Sequence, residues 1–176
     1  MTNSTPKTYT RSVVILHWLI ALLVIAMIPL GKNLAALDPG PDKLMLMRIH
    51  ASVGIAILIF SLARLYLHFR RPRPAPGAEW ATWTRISSTA AHWALMAITL
   101  LATISGLGAF TGYGYLQLVQ TSQWQPWPDG AAIPPLNVHH FLVTAIIALV
   151  ILHAAAACYH QFIRKDGLLK RMWFSR

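Results

Sequence analysis

The chain is poor in charged residues, above all in acidic ones. Only 11% of its 176 residues are charged, which is about half of what a soluble domain carries, and 56% are apolar. Five acidic residues stand against fifteen Lys and Arg, which gives a net charge of +10. Those cations lie between long apolar runs, a pattern typical of membrane proteins and not of nucleic-acid binders. The composition therefore argues against a soluble fold and against a nucleic-acid partner.

Cysteine is almost absent as well. The only one, Cys158, lies in an apolar run. A lone cysteine excludes a disulfide framework, a CxxC metal pair and the CxxCH motif of covalent haem attachment. Any haem in this protein must therefore be bound non-covalently.

Four runs are long and apolar enough to cross a hydrocarbon core of about 30 Å, which takes roughly 20 helical residues. They cover residues 12–30, 49–69, 88–110 and 138–162. The sequence predicts an all-α fold, an integral membrane four-helix bundle that forms one domain over residues 1–176.

Proline and glycine mark the connections between the spans, at residues 38–41, 71–77 and 126–135. Asp38, Asp42 and Asp129 are predicted to lie in these loops. The first span follows Lys7 and Arg11, as a signal peptide would. It is too long and too bulky near its end for one, so we interpret it as a retained span.

Orientation follows from the distribution of Lys and Arg. Three of the fifteen, Lys32, Lys43 and Arg48, fall on one side of the membrane. The other twelve fall on the opposite side: Lys7, Arg11, Arg64, Arg70, Arg71, Arg73, Arg85, Arg164, Lys165, Lys170, Arg171 and Arg176. This positive-inside bias predicts that the N- and C-termini are both cytoplasmic. The third loop has no cation but four aromatic residues, which indicates an aromatic lid over the outer face.

Eight histidines are unexpected in so apolar a chain, because ionisable groups inside a membrane are costly and usually functional. The topology sorts them by depth. His50, His139 and His140 lie near the outer face. At moderate depth on the inner side lie His17, His92 and His153, and close to the inner surface lie His68 and His160.

Helical spacing then predicts two histidine pairs. His139 and His153 are fourteen residues apart, so they share a helix face at depths that differ by about 21 Å. Partners at matching depths are His50 on the outer side and His17 on the inner side. Two such pairs suit two low-spin haems, whose bis-imidazole iron relays electrons. Gly54, one turn after His50, would leave room for a macrocycle.

Alternatives for the inner ligands stay open. His160 falls only 20° off the face of His153, but would place the irons roughly 31 Å apart, the full thickness of the hydrocarbon core. His92 competes with His17 as a ligand, or contacts quinone or a propionate. His68 is interpreted as an interfacial side chain. Arg64, the one cation well inside a span, is predicted to contact a haem propionate or quinone.

A faint internal repeat gives His92 the same sequence setting as His17, so both stay candidates for the inner ligand. Residues 16–19 and 91–94 both carry a His-Trp pair near the start of a span. Both spans are predicted to end in a glycine-containing break, at residues 29–31 and 105–108.

The chain resembles the bacterial cytochrome b561 family of small di-haem membrane cytochromes. The resemblance rests on Leu16-His17-Trp18, on Arg48-Ile49-His50-Ala51-Ser52-Val53-Gly54, on Val138-His139-His140 and on His153. It implies two haem b groups, with His17 and His153 as ligands of the inner one and His50 and His139 as ligands of the outer one. His92 and His140 are then left without an axial role.

The resemblance further implies electron exchange with a membrane quinone, and for its most similar members a superoxide oxidase reaction that passes electrons from superoxide at the outer face to ubiquinone. Lys32, Lys43 and Arg48 would attract that anion, or else only anchor helix ends. The competing hypotheses are a haem b anchor subunit of a larger dehydrogenase and a colourless metal carrier. Short loops and tails favour the self-contained oxidoreductase, which contacts membrane lipid and is compatible with a homo-oligomer.

Overall fold

The computed structural model describes residues 8–72, 74 and 81–173, and these residues form helices joined by turns. The helices are α1 (Arg11–Ala36), α2 (Pro41–Arg70), α3 (Thr82–Gly112), α4 (Tyr115–Thr121) and α5 (Pro134–Cys158). A π-helical turn, Tyr159–Arg164, continues α5, and 3-10 turns lie at Gly130–Ala132 and Leu168–Met172. Four helices are long and apolar enough to span a membrane. The predicted all-α four-helix membrane bundle is confirmed.

The four spanning helices are in contact mainly as α3 with α5, α1 with α2, and α2 with α3. Helices are required here because lipid offers no partner to backbone N–H and C=O groups. Large apolar side chains remain outside the bundle: Leu22, Phe141 and Phe162 are 64%, 73% and 70% exposed. Those side chains face lipid, as expected of a multi-pass protein of the bacterial inner membrane.

The spanning helices are longer than the predicted spans. α2 begins at Pro41, eight residues before the expected start, so Asp42 lies in its first turn and not in a loop. Proline is pre-organised for the first helical position, and a carboxylate is favourable near the positive end of the helix dipole. Part of the second connection, residues 73 and 75–80, lies outside the described residues, as do Lys7 and Arg176 of the orientation count.

The two predicted glycine-containing breaks are wrong. α1 continues through Pro29 and Gly31 to Ala36, and α3 continues through Gly106 to Gly112. In a membrane the helix must keep its backbone hydrogen bonds, and proline and glycine are tolerated where neighbouring helices compensate. These glycines are needed for another reason, which is their close contact with histidine rings.

An outer lid, residues 113–133, covers one end of the bundle. Tyr115, Leu118 and Ile133 of the lid are buried against Leu44 of α2 and Ala109 of α3. Arg48 holds the lid to α2, because its Nη2 donates to the Val119 carbonyl at 2.9 Å and to Ser122 Oγ at 2.8 Å. The expected aromatic cover is thus a packed structure that includes the short helix α4.

An inner strap, residues 165–173, folds back over the start of α1. The chain reverses at Lys165 and Gly167, which adopt left-handed backbone angles. The indole N–H of Trp18 then donates to the Met172 carbonyl at 2.8 Å, and the rings of Trp18 and Trp173 meet edge to face at 6.2 Å. The strap therefore lies beside the helix turn that carries His17.

Candidate functional site

The outer pair of histidines meets between α2 and α5. The ring centroids of His50 and His139 lie 6.1 Å apart, with their planes at 77°. Two imidazoles on opposite sides of one iron, each with a metal–nitrogen distance of about 2 Å, have centroids about 6.3 Å apart. The separation of these rings fits a single metal between them.

The inner pair meets between α1 and α5 at nearly the same separation. The centroids of His17 and His153 lie 6.3 Å apart, and their planes are at 71°. Since His153 follows His139 by fourteen residues on one helix, the two pairs lie about 21 Å apart along the bundle. The structure thus brings together the four residues that the sequence paired by depth.

Hydrogen bonding at the ring nitrogens agrees with a metal-binding role. His139 Nδ1 lies 2.7 Å from the Ala102 carbonyl oxygen. A carbonyl only accepts, so Nδ1 carries the proton and Nε2 is left with a free lone pair, the tautomer that metal-ligating histidines use. The Nδ1 atoms of His17 and His50 are buried and have no hydrogen-bond partner among the described residues.

Glycines leave space beside the outer pair. A Cβ built on Gly54 of α2 would meet no atom of the described residues within 4 Å. This open volume begins one turn from His50, on the helix that carries it. A flat macrocycle would need such room beside an imidazole, so the open space at Gly54 agrees with a haem at the outer pair.

Arg64 lies at the inner pair. Its charge interacts with the rings of His17 and His153, and with Tyr9 near the N-terminus. It forms no ion pair with a carboxylate of the described residues. A guanidinium in a membrane bundle is costly without a counter-charge. An anion that is not part of the described chain, such as a carboxylate of a bound cofactor, would supply that counter-charge.

His92 belongs to the inner cluster but differs from its neighbours. Its ring centroid lies 5.2 Å from that of His153, with the planes at 86°, which is short of the separation that two ligands of one iron require. Its Nδ1 donates to the Ser88 carbonyl at 2.6 Å, and its side chain is exposed on α3. By separation His17 is the better partner of His153, and His92 offers an accessible Nε2 beside the pair.

The three remaining histidines lie outside both pairs. His140 is exposed, and the ring of His68 packs on Trp93 at 4.7 Å. His160 Nδ1 contacts Asp166 Oδ2 at 2.5 Å. Burial alone would raise the pKa of the Asp166 carboxyl, but its hydrogen bonds with His160 and the Leu168 N–H lower it below the usual value. That ionised carboxylate holds His160 at the inner strap, away from His153.

The three outer cations differ in how firmly they are held. Lys43 Nζ donates to the Leu37 carbonyl at 2.6 Å and lies 5.0 Å from the centre of a Trp127 ring. Arg48 holds the outer lid, whereas Lys32 is exposed at the end of α1. All three place positive charge on one face of the molecule, and two of them also hold its structure together.

Sequence reasoning missed the groups that surround the outer ring of His139. The Ala102 carbonyl carries no side-chain signal, and Gly106 was interpreted as a break. A Cβ on Gly106 would lie 2.9 Å from His139 Nδ1 and 3.0 Å from Cε1. The one available signal was that Gly31 and Gly106 each follow a His-Trp histidine by fourteen residues.

Comparison with known proteins gives one family and several curated relatives. The family model described as prokaryotic cytochrome b561 matches residues 8–175. The chain is 28% identical to cytochrome b561 homolog 2 of Escherichia coli strain K12, over 97% of this chain and 93% of that one. It is 30% identical to cytochrome b562 of Cereibacter sphaeroides, over 93% and 94%. It is 26% identical to the probable superoxide oxidase CybB of Yersinia pestis, over 94% and 96%.

Proposed function

The chain belongs to the prokaryotic cytochrome b561 family of membrane electron-transfer proteins, and from that membership we propose that it is a di-haem superoxide oxidase. It would take electrons from superoxide at the outer face and give them to ubiquinone in the membrane. Two superoxide anions each lose one electron and become dioxygen. Ubiquinone gains both electrons together with two protons and becomes ubiquinol.

Four histidines would hold two non-covalent haem b groups. His50 and His139 are the proposed ligands of the outer haem, and His17 and His153 those of the inner one. The observation that carries this assignment is the near-equal separation of the two ring pairs, 6.1 Å and 6.3 Å. Haem iron with two imidazole ligands cycles between ferrous and ferric states and so handles one electron at a time.

Two further residues would act at the inner site. Arg64 has no carboxylate partner among the described residues, so it is suited to neutralise a haem propionate or a reduced quinone. His92 is exposed, and its Nδ1–H is committed to Ser88. Its Nε2 therefore remains to exchange a proton with a quinone that approaches from the lipid.

The outer cations would raise the local concentration of an anionic donor. Lys32 is the clearest of the three to test because Lys43 and Arg48 also hold structure together. Removing one unit charge at about 10 Å from the entering anion in water changes its energy by about 0.4 kcal/mol, or about twofold in rate. Lys32→Gln should therefore lower the second-order rate of superoxide oxidation about twofold.

The assay measures ubiquinone reduction by purified holoprotein under a steady flux of superoxide. The effect of Lys32→Gln should disappear at high salt, because screening removes steering by surface charge. Arg85→Gln is the matched control, since Arg85 is an exposed cation on the inner side, and it should leave the rate unchanged. Equal rates for wild type and Lys32→Gln at low salt would remove Lys32 from the mechanism.

The same preparation tests the function itself. A chain that holds two low-spin b haems and reduces ubiquinone with superoxide supports the proposal. A chain that holds both haems but transfers no electrons from superoxide favours a membrane conduit for a larger dehydrogenase. His153→Ala and His160→Ala separate the inner alternatives: the first should lose one haem per chain, and the second should lose none.

A further inference from the structure

Helix α3 offers no ligand to the outer pair, yet it makes the closest contacts with the ring of His139. The Ala102 carbonyl accepts the Nδ1–H at 2.7 Å. One turn further on, Gly106 faces the same ring so closely that a Cβ there would lie 2.9 Å from Nδ1 and 3.0 Å from Cε1. Both contacts converge on one edge of one imidazole.

We propose that Ala102 and Gly106 form a seat in α3 that positions the ring of His139 for ligation. The inference rests on the proposed role of His139 as an axial ligand of the outer haem. The carbonyl fixes the rotation and the tautomer of the ring, and the missing side chain at Gly106 lets the ring approach the helix backbone. Gly106 is thus a positioning residue for the outer site.

The seat is rigid because it is part of a helix backbone. Ala102 is 3% exposed, and its carbonyl lies in the middle of α3, where it also accepts the N–H of Gly106 four residues on. Ser105 Oγ donates to the same oxygen at 3.0 Å. Several donors thus share one carbonyl, and the hydroxyl of Ser105 competes with His139 for its lone pairs.

His50, the other proposed ligand of the outer haem, has a looser contact of the same kind with a glycine. A Cβ on Gly31 of α1 would lie 3.2 Å from His50 Cε1, a distance at which a small shift of the ring suffices. His50 Nδ1 has no hydrogen-bond partner among the described residues. The two ligands of the outer pair are therefore held unequally, and the hydrogen-bonded one depends on α3.

A hydrogen bond from Nδ1 makes an imidazole a stronger electron donor to its metal. A stronger donor favours the ferric state, so the seat should lower the reduction potential of the outer haem. Loss of a group that orients a metal ligand typically weakens metal binding about 10- to 100-fold. The seat therefore has two separate signatures, retention of the outer haem and its midpoint potential.

The test compares purified holoproteins that carry Gly106→Ala or Gly108→Ala. Among the described residues, a Cβ on Gly108 would meet only Pro135 Cβ, at 3.9 Å, so this change on the same helix is the matched control. Alanine is a better helix former than glycine, so neither change should weaken α3 itself. Gly106→Ala should release the outer haem about 10- to 100-fold faster and raise its midpoint potential. Gly108→Ala should behave as wild type.

Ser105→Ala is a second variant, for which the outer midpoint potential should shift in the opposite direction. Without the hydroxyl, the Ala102 oxygen accepts more strongly from His139, so the outer midpoint potential should fall. This change removes one partly buried hydroxyl and adds no atoms, so it tests the seat even where Gly106→Ala does not yield folded protein. Two results together would overturn the inference. The first is an outer midpoint potential in Ser105→Ala equal to that of wild type. The second is a Gly106→Ala variant that behaves like Gly108→Ala or yields no folded protein.

His139→Ala separates this inference from the function on which it rests. Loss of one haem in His139→Ala, with no difference between Gly106→Ala and Gly108→Ala, refutes the seat alone. Full retention of both haems in His139→Ala refutes the ligand assignment, and the seat with it.

Discussion

In the proposed di-haem protein, replacing Arg64 by methionine should lower the midpoint potential of the inner haem by more than twice as much as that of the outer haem. Arg64 follows His50 by fourteen residues on α2, so it lies about 21 Å further along the helix. His153 follows His139 by the same number on α5. The guanidinium is therefore level with the inner pair, and its charge interacts with both His17 and His153.

The size of the shift follows from Coulomb's law. A unit charge about 8 Å from an electron added at the iron, with an effective dielectric constant of about 20, contributes about 2 kcal/mol. For a one-electron couple this corresponds to about 90 mV. The cation stabilises the reduced state, so its removal makes the inner haem harder to reduce. The outer haem, about 21 Å away, should shift by less than half as much.

A spectroelectrochemical titration of the purified protein measures both potentials at once. Arg64→Lys is the control because it keeps the charge while it changes the hydrogen-bonding geometry. Its inner potential should stay close to that of wild type. Unchanged potentials in Arg64→Met, or equal shifts in Arg64→Met and Arg64→Lys, would show that the charge of Arg64 does not act on the inner site.

Two further changes test the space beside the outer pair and the attachment of the inner strap. Gly54→Leu adds a side chain where a Cβ would meet no atom within 4 Å in the part of the chain that the structure describes, so the chain should fold and remain monodisperse while its haem content falls by one per chain; full haem content would place the macrocycle elsewhere. Trp18→Phe removes the N–H that donates to the Met172 carbonyl, a bond worth about 1 kcal/mol, so trypsin should cut the strap about fivefold faster, and an unchanged rate would mean that other contacts hold it.

Much of the fold could be predicted from the sequence because lipid restricts the possible structures. A run of about 20 apolar residues has few alternatives to a spanning helix. The helix ends were less predictable. In water-soluble helices a glycine often marks the end of the helix, and by that rule Gly31 and Gly106 were wrongly predicted to be breaks. In a membrane bundle, small residues such as glycine are enriched where helices approach each other closely.

The candidate site likewise has a part that the sequence could predict and a part that it could not. Helical spacing placed His139 and His153 on one face, and matching depths in the membrane paired them with His50 and His17. The structure brings those rings together; their roles as ligands stay a prediction. The Ala102 carbonyl could not be found, because its role depends on which helix packs against α5. That choice arises from contacts across the bundle, which no pattern within one helix encodes.

The contacts also extend the faint repeat between the two His-Trp segments. In each half of the chain, a His-Trp histidine is followed after fourteen residues by a glycine that contacts the first histidine of the next long helix. Fourteen residues beyond that histidine stands Arg64 in the first half and His153 in the second. The outer pair therefore joins equivalent positions, His50 and His139.

The inner site breaks this equivalence, because its closest match to a ligand pair joins His17 of one half with His153 of the other. Arg64 and His92 are then left over at the same depth, one a cation and one an exposed histidine. The outer pair also has a neighbouring histidine, the exposed His140, whose ring centroid lies 6.2 Å from that of His139, but no cation of the described residues interacts with either ring of that pair. A quinone that accepts electrons must also accept protons and pass through an anionic state. The cation at the inner pair therefore favours the inner site as the proposed place of quinone reduction, and leaves the outer site to a donor that needs no proton.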